Sequence, residues 1–213
     1  MKKLLIIVLI TFSGISGFSQ THLYENPEFD EIAKKHDIIG VIPFDATVTL
    51  RPKQMEKLSQ DQLEKMEESE GTGIQGALYS WFLKRKKRGS LSVKVLDVNT
   101  TNAKLKKADI TADNYDEYTP KELAEILDVD AIIMGTFETN KPMSEGASVA
   151  LGALIGFWGT TNKAIVNLFI YNADDGELLC NYNKAVSGSV GSSTEDLINI
   201  LMRKASRRIA YTK

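Results

Sequence analysis

Leu127-Asp-Val-Asp-Ala-Ile-Ile-Met-Gly-Thr-Phe-Glu138 is the stretch around which the chain is organised. Its apolar run from Ala131 to Met134 has no polar residue on either face, as expected of a strand covered on both sides. The residues ahead of it predict a helix that delivers the chain into that strand. Thr119 stands as N-cap, Pro120 takes the first helical position and Glu122 closes a capping box, with Leu123, Ile126 and Leu127 on one face.

Upstream, Ile38-Ile-Gly-Val-Ile-Pro-Phe44 reads as the first strand, with Pro43 near its carboxyl end, where a missing N–H is easiest to tolerate. Lys53 to Glu70 is rich in Glu, Lys and Gln and reads as an exposed helical insertion. Gly71-Thr-Gly73 then opens a better helix, in which Ile74, Ala77, Leu78, Trp81 and Phe82 form one stripe. That helix ends in Lys84-Arg-Lys-Lys-Arg88 before Gly89. Leu91 to Val98 alternates as a second strand, and a polar connection anchored by Leu105 and Ile110 leads to the capped helix. Two strand-helix-strand units in series imply right-handed crossovers and a parallel core.

Downstream, Ala164 to Tyr171 and Glu177 to Val186 pair across Asp175-Gly176 as a hairpin. A last helix starts near Ser193, with Leu197, Ile198, Leu201, Met202, Ala205 and Ile209 on one side and Arg203, Lys204, Arg207 and Arg208 on the other. The fold class is therefore α/β: a three-layer-like mixed sheet of about five strands, with a parallel core, a C-terminal antiparallel hairpin and helices packed on it.

The amino terminus sets the compartment. Lys2 and Lys3 precede an apolar run from Leu4 to Ile10, and small and polar residues reach Gly17-Phe-Ser19, which fits a signal peptide over 1–19. The run is far shorter than the roughly 20 residues of a spanning helix. Residues 20–37 read as an irregular lead-in, and 38–213 as a single domain with insertions at 53–70 and 143–162. An exported protein is expected, in the periplasm or at the outer membrane. It is expected to be unlipidated, because Cys180 lies far from the cleavage site. Removing 1–19 takes Lys2 and Lys3 from the 26 basic side chains and none of the 28 acidic ones, deepening a formal charge of −2. A mildly acidic protein is a poor general nucleic-acid binder, so no nucleic-acid partner is expected. A single cysteine makes no internal disulfide, and Cys180, in the second hairpin strand, reads as a buried small hydrophobe.

Leu127-Asp-Val-Asp-Ala-Ile-Ile-Met-Gly135 and Val166-Asn-Leu-Phe-Ile-Tyr-Asn-Ala-Asp-Asp-Gly-Glu-Leu-Leu179, with this order of elements, resemble the periplasmic α/β domain of the curli secretion channel (CsgG-like) family. The same domain type is seen in the amino-terminal domain of TolB-type envelope proteins and in outer-membrane lipoproteins that activate penicillin-binding proteins. The resemblance covers about Ile38 to the end. It implies an oligomeric or partner-binding envelope component without enzymatic activity. Two departures stand out. Asp128 replaces the family's usual Gly, in a turn where Asp tolerates the left-handed conformation. Ser187 to Ser193 is too short for the second membrane-inserting hairpin of a curli-type pore, since each such strand needs roughly 9 to 11 residues.

No catalytic set, metal cluster or cofactor signature is legible: there is no Ser-x-x-Lys and no Gly-x-Ser-x-Gly, and His22 and His36, the only histidines, read as surface residues. Asp174-Asp-Gly-Glu177 lacks the alternating oxygen ligands of a calcium loop and reads as a turn. Two stretches remain as candidate contacts. Lys84, Arg85, Lys86, Lys87 and Arg88 either complement the helix dipole or meet lipid phosphates or an acidic partner. Met143 to Asn162 carries Val149, Leu151, Gly152, Ile155, Gly156, Phe157 and Trp158; it reads as a barrel strand, a small-residue helix contact or a flap over the domain's own core. The first two forms would mediate membrane contact or self-association. Three functions follow from these readings: an oligomeric or partner-binding component of curli-type assembly or secretion, a periplasmic regulator of envelope or cell-wall enzymes, or a partly membrane-inserted export component.

Overall fold

A strand split by a proline and a helix lying across the split set the architecture. The computed structural model describes residues 21–140, 162–188, 200, 203 and 209–212. The seven strands are β1 (Thr21–Glu25), β2 (Ile38–Val41), β3 (Asp45–Val48), β4 (Lys94–Val95), β5 (Ala131–Thr139), β6 (Asn162–Asn172) and β7 (Leu178–Gly188). They form one mixed sheet in the order β1-β7-β6-β5-β2-β4. The longer helices are α3 (Gln60–Lys87), α4 (Val98–Lys107) and α5 (Pro120–Leu127), beside the short α1 (Phe29–Ala33) and α2 (Pro52–Met55).

β5 is the central strand. It runs parallel to β2 through Ile39–Ala131 to Val41–Ile133, then parallel to β3 through Asp45–Thr136 to Val48–Thr139, and antiparallel to β6 along its other edge. β2 and β3 are thus one line of pairing interrupted at Ile42-Pro43-Phe44, where the proline lacks a donor. The groups freed at the break are recovered by α3 and β5. Ile42 N donates to Ile133 O at 3.1 Å, Phe44 N to Gly71 O at 3.2 Å, and Gln75 Nε2 to Val41 O at 2.8 Å.

Two apolar layers flank the sheet. On one face Ile39, Val41, Ala131, Ile133 and Phe137 pack against Ile74, Leu78, Trp81 and Phe82 of α3, with Phe29 and Tyr211 in the same cluster. On the other, Ile42 and Ile132 meet Leu105 of α4 and Leu123, Ala124 and Leu127 of α5. Burial on both faces of β5 is what its unbroken apolar run encodes; Ala131, Ile132 and Ile133 are all fully buried. α5 begins as expected, with Thr119 N donating to Glu122 Oε2 at 2.7 Å and Glu122 N to Thr119 Oγ1 at 3.2 Å. It ends at Asp128, which takes the left-handed conformation (φ 57°).

Several expectations from sequence change. The 53–70 stretch is helical and mostly exposed, as expected, but it is not separate from the helix after it: α3 runs unbroken through Gly71-Thr-Gly73, starting at the Ser59 cap and burying Met66 and Glu70. Gly71 marks a close crossing rather than a helix start. Residues 21–37, expected to be irregular, contribute a strand and a helix: β1 pairs with β7 from Thr21–Lys184 to Glu25–Cys180, and Phe29 of α1 is fully buried. The 91–98 strand shrinks to Lys94–Val95, because Asp97 accepts from Asn99 N and Thr100 N and so caps α4 at Val98. The hairpin turn stands: Asp175 Oδ1 accepts from Glu177 N at 2.8 Å, and Gly176 has φ 76°. Most of the helix expected from Ser193 lies outside the described residues.

Candidate functional site

The break between β2 and β3 leaves a cleft of about 420 Å³ on the α4/α5 side of the sheet. Its floor is the outward-facing side of β5 and β6, where Met134 and Thr136 sit beside Phe169 and Tyr171. One wall is Ile42-Pro43 with Asp45 at the start of β3; the other is the Ala112–Glu117 turn of 3-10 helix and its exit, supplying Tyr115, Asp116 and Tyr118. Phe169 and Tyr171, two apart on one strand and so on one face, stack with ring centroids 6.0 Å apart. Four aromatic rings therefore converge, none of them fully buried.

Electrostatically the cleft is acidic at its rim and neutral at its base. Asp45 and Asp116 are both exposed, and neither has a cation partner among the described residues. Burial, reinforced by the Glu68 carboxylate, pushes the Tyr115 phenol up to about 12, and burial also raises Tyr171. Both phenols stay protonated at any physiological pH. They donate and accept hydrogen bonds but are poor nucleophiles and poor bases.

Beside the cleft the same sheet face continues through Asn167, opposite Thr136, into a depression of about 630 Å³ lined by His22, Tyr24, Asn181 and Asn183. Asn167 Oδ1 is buried there without a hydrogen-bond partner among the described residues. Each of these side chains lies on the side of its strand opposite to the packed core residues Val166, Leu168 and Tyr182.

His36 departs from its expected surface role. Asn172 Nδ2 donates to Asp175 Oδ1 at 2.9 Å, which leaves Asn172 Oδ1 to accept from His36 Nε2 at 3.1 Å. His36 Nδ1 is then the acceptor for the Tyr211 hydroxyl at 2.7 Å. Burial lowers the imidazole below its usual range, against the opposing pull of the Asn172 hydrogen bond and of Asp130 and Asp175. The network ties the residues before β2 to the carboxyl-terminal turn and to the hairpin. Among the described residues no group of His, Cys, Asp and Glu has the arrangement of a metal site.

The five cations singled out in the sequence lie at the carboxyl end of α3, where they complement the negative end of its dipole. The Arg85 guanidinium lies 4.8 Å from the centre of the Trp81 ring, while Lys86, Lys87 and Arg88 are exposed. Val149, Leu151, Gly152, Ile155, Gly156, Phe157 and Trp158 lie outside the described residues. The sequence reading missed the cleft itself. Its signal was the aromatic spacing Tyr115-x-x-Tyr118 within a stretch read only as a polar connection, and Phe169-x-Tyr171 within a strand read only for its pairing.

No protein-family model and no curated protein matches the sequence. Among solved structures, the lipoprotein GNA1162 from Neisseria meningitidis is similar over 81% of this chain and 96% of its own, at 16% identity and a TM-score of 0.45. A PelC dodecamer from Paraburkholderia phytofirmans is similar over 91% and 97%, at 8% identity and 0.42. The LpoB carboxyl-terminal domain from Salmonella enterica is similar over 71% and 83%, at 7% identity and 0.33. Among the described residues no helix is long and apolar enough to cross a membrane.

Proposed function

We propose that the chain is a non-enzymatic exported protein of the cell envelope that works by binding, as a subunit of an oligomer or as the partner of another envelope protein. The observation that carries this reading is the cleft between the β2–β3 break and Tyr115–Tyr118. Partly exposed tyrosine, phenylalanine, methionine and proline beside exposed carboxylates suit a protein contact, in which aromatic anchors supply most of the energy. Its protonated phenols, and carboxylates held on separate elements, suit recognition better than proton transfer. The export half of the proposal rests on Lys2-Lys3, the apolar run and Gly17-Phe-Ser19. The finer placement in curli-type assembly or secretion rests on the two motifs at Leu127–Gly135 and Val166–Leu179.

The test has two arms. Expressed from its own start, the protein is expected in the envelope fraction with an intact mass that begins at Gln20. Tyr118→Ser with Phe169→Ser is expected to release it from the complexes in which native sizing of that fraction finds it. A full-length chain in the cytoplasm refutes export. Complexes of unchanged size in the folded double variant refute the cleft as the binding surface.

A further inference from the structure

The cleft and the basic run have opposite charge and cannot meet within one molecule. α3 crosses the β2–β3 break at Gly71, beside Phe44, and then runs back towards the amino ends of the parallel strands, where Lys94 pairs with Ile38. From Gly71 to Lys86 its axis advances about 22 Å at about 1.5 Å per residue. The run also lies in the layer that packs on Ile39 and Ile133, whereas the cleft opens on the opposite face, beside Ile42 and Ile132. Five cations and an acidic aromatic cleft thus sit at opposite ends and on opposite faces of the sheet.

We infer that the cleft receives the Lys86–Arg88 end of α3 from a second copy of the chain, joining copies head to tail. The inference rests on the binding role proposed above and names the occupant of that site. Three observations carry it. Asp45 and Asp116 flank the cleft without cation partners among the described residues, and Lys86, Lys87 and Arg88 are likewise exposed without acidic partners there. Tyr118 and Phe169 line the cleft, and an aromatic ring attracts a guanidinium or an ammonium through its quadrupole. Leu83, 42% exposed at the start of the run, offers an apolar side chain to the same rings. Because donor and acceptor surfaces differ, the contact is heterologous; each copy uses both, so the assembly closes into a ring or extends as a filament.

The experiment uses the protein starting at Gln20 and measures mass by light scattering after size exclusion. The unaltered protein is expected to be an oligomer at low ionic strength and to dissociate at about 0.5 M NaCl, where the Debye length falls to a few ångströms. Asp45→Lys with Asp116→Lys, and separately Lys86→Gln with Lys87→Gln and Arg88→Gln, are each expected to give monomers whose melting midpoint at about 0.5 M NaCl, where the unaltered protein is monomeric too, matches that of the unaltered protein, since all five side chains are exposed. Mixed in equal amounts, the two variants retain one intact run and one intact cleft between them. They are expected to form a 1:1 dimer that grows no further. A monomeric unaltered protein, an oligomer indifferent to salt and to both variants, or a mixture that stays monomeric or rebuilds the full oligomer each overturns the inference. None of these results touches the Tyr118 and Phe169 arm of the earlier test, which another envelope protein in the cleft would still satisfy.

Discussion

Gly71 of α3 and Phe44 of the strand break are in backbone contact: Phe44 N donates to Gly71 O at 3.2 Å, and a Cβ on Gly71 would lie 2.1 Å from Phe44 O. The opposing atom is main chain, held by the pairing of β2 and β3 on either side, so it cannot swing away. Gly71→Ala is expected to destabilise the protein by about 2 kcal/mol or more, the overpacking cost exceeding the gain in helix propensity. Gly76, on the same helix, has nothing within 4 Å of its would-be Cβ, and Gly76→Ala is expected to stabilise by about 0.5–1 kcal/mol. Urea unfolding of the two variants, read by circular dichroism, should move the midpoint in opposite directions. A common direction would contradict the crossing.

Asp128 ends α5 with φ 57° and ψ 60°, and its N–H reaches the carbonyls of Ala124 and Glu125. An aspartate tolerates this conformation and a β-branched residue does not. Asp128→Val is expected to cost about 1–2 kcal/mol, and Asp128→Gly to be neutral or slightly stabilising, by thermal denaturation. Equal effects of the two changes would show that the turn does not depend on the left-handed residue.

Cys180 is fully buried, and burial with the nearby Glu25 carboxylate pushes its thiol up to about 12. At pH 8 the thiolate is scarce and covered, so a water-soluble thiol reagent is expected to leave the folded protein unlabelled over hours and to label it stoichiometrically in denaturant. Rapid labelling without denaturant would place Cys180 at the surface.

The elements legible in the sequence were those whose signal is local. Ala131 to Met134 declared a doubly covered strand because both faces of β5 are in fact packed. Thr119-Pro-x-Glu122 declared a helix start because all the capping partners lie within one turn. What escaped was set by distant partners. β1 is held by backbone pairing to Cys180–Lys184, so its side chains need no period. Gly71 resembles a helix-opening residue until Phe44, far away in sequence, is found against it. The cleft escaped for the same reason, since Asp45, Tyr115 and Phe169 come from separate elements and meet only because Pro43 interrupts the strand. The His36 network joins three such segments, and a lone histidine in a polar stretch carries no trace of it.

That network makes a pH prediction whose sign is fixed by the direction of the shift. Burial lowers the His36 imidazole in the folded protein below its value of about 6.5 in the unfolded chain, so the unfolded state takes up the proton first as pH falls. Its stabilising contribution is therefore complete above about pH 6.5 and is lost as pH falls through the folded value. Protonation also places a second hydrogen on the imidazole at Nδ1, where the Tyr211 hydroxyl now donates, and forces that hydroxyl to turn. The facing carboxylates, Asp130 and Asp175, pull the other way and keep the step modest. The melting midpoint is expected to be flat from pH 8 to about 6.5 and then to decline. His36→Gln, which retains a donor and an acceptor without titrating in this range, is expected to remove the first part of the decline and leave the lower, carboxylate-driven part. Tyr211→Phe provides the control. It removes the hydroxyl but not the burial, so the decline should persist from a lower starting stability. An identical pH profile in wild type and His36→Gln would exclude His36 as its source.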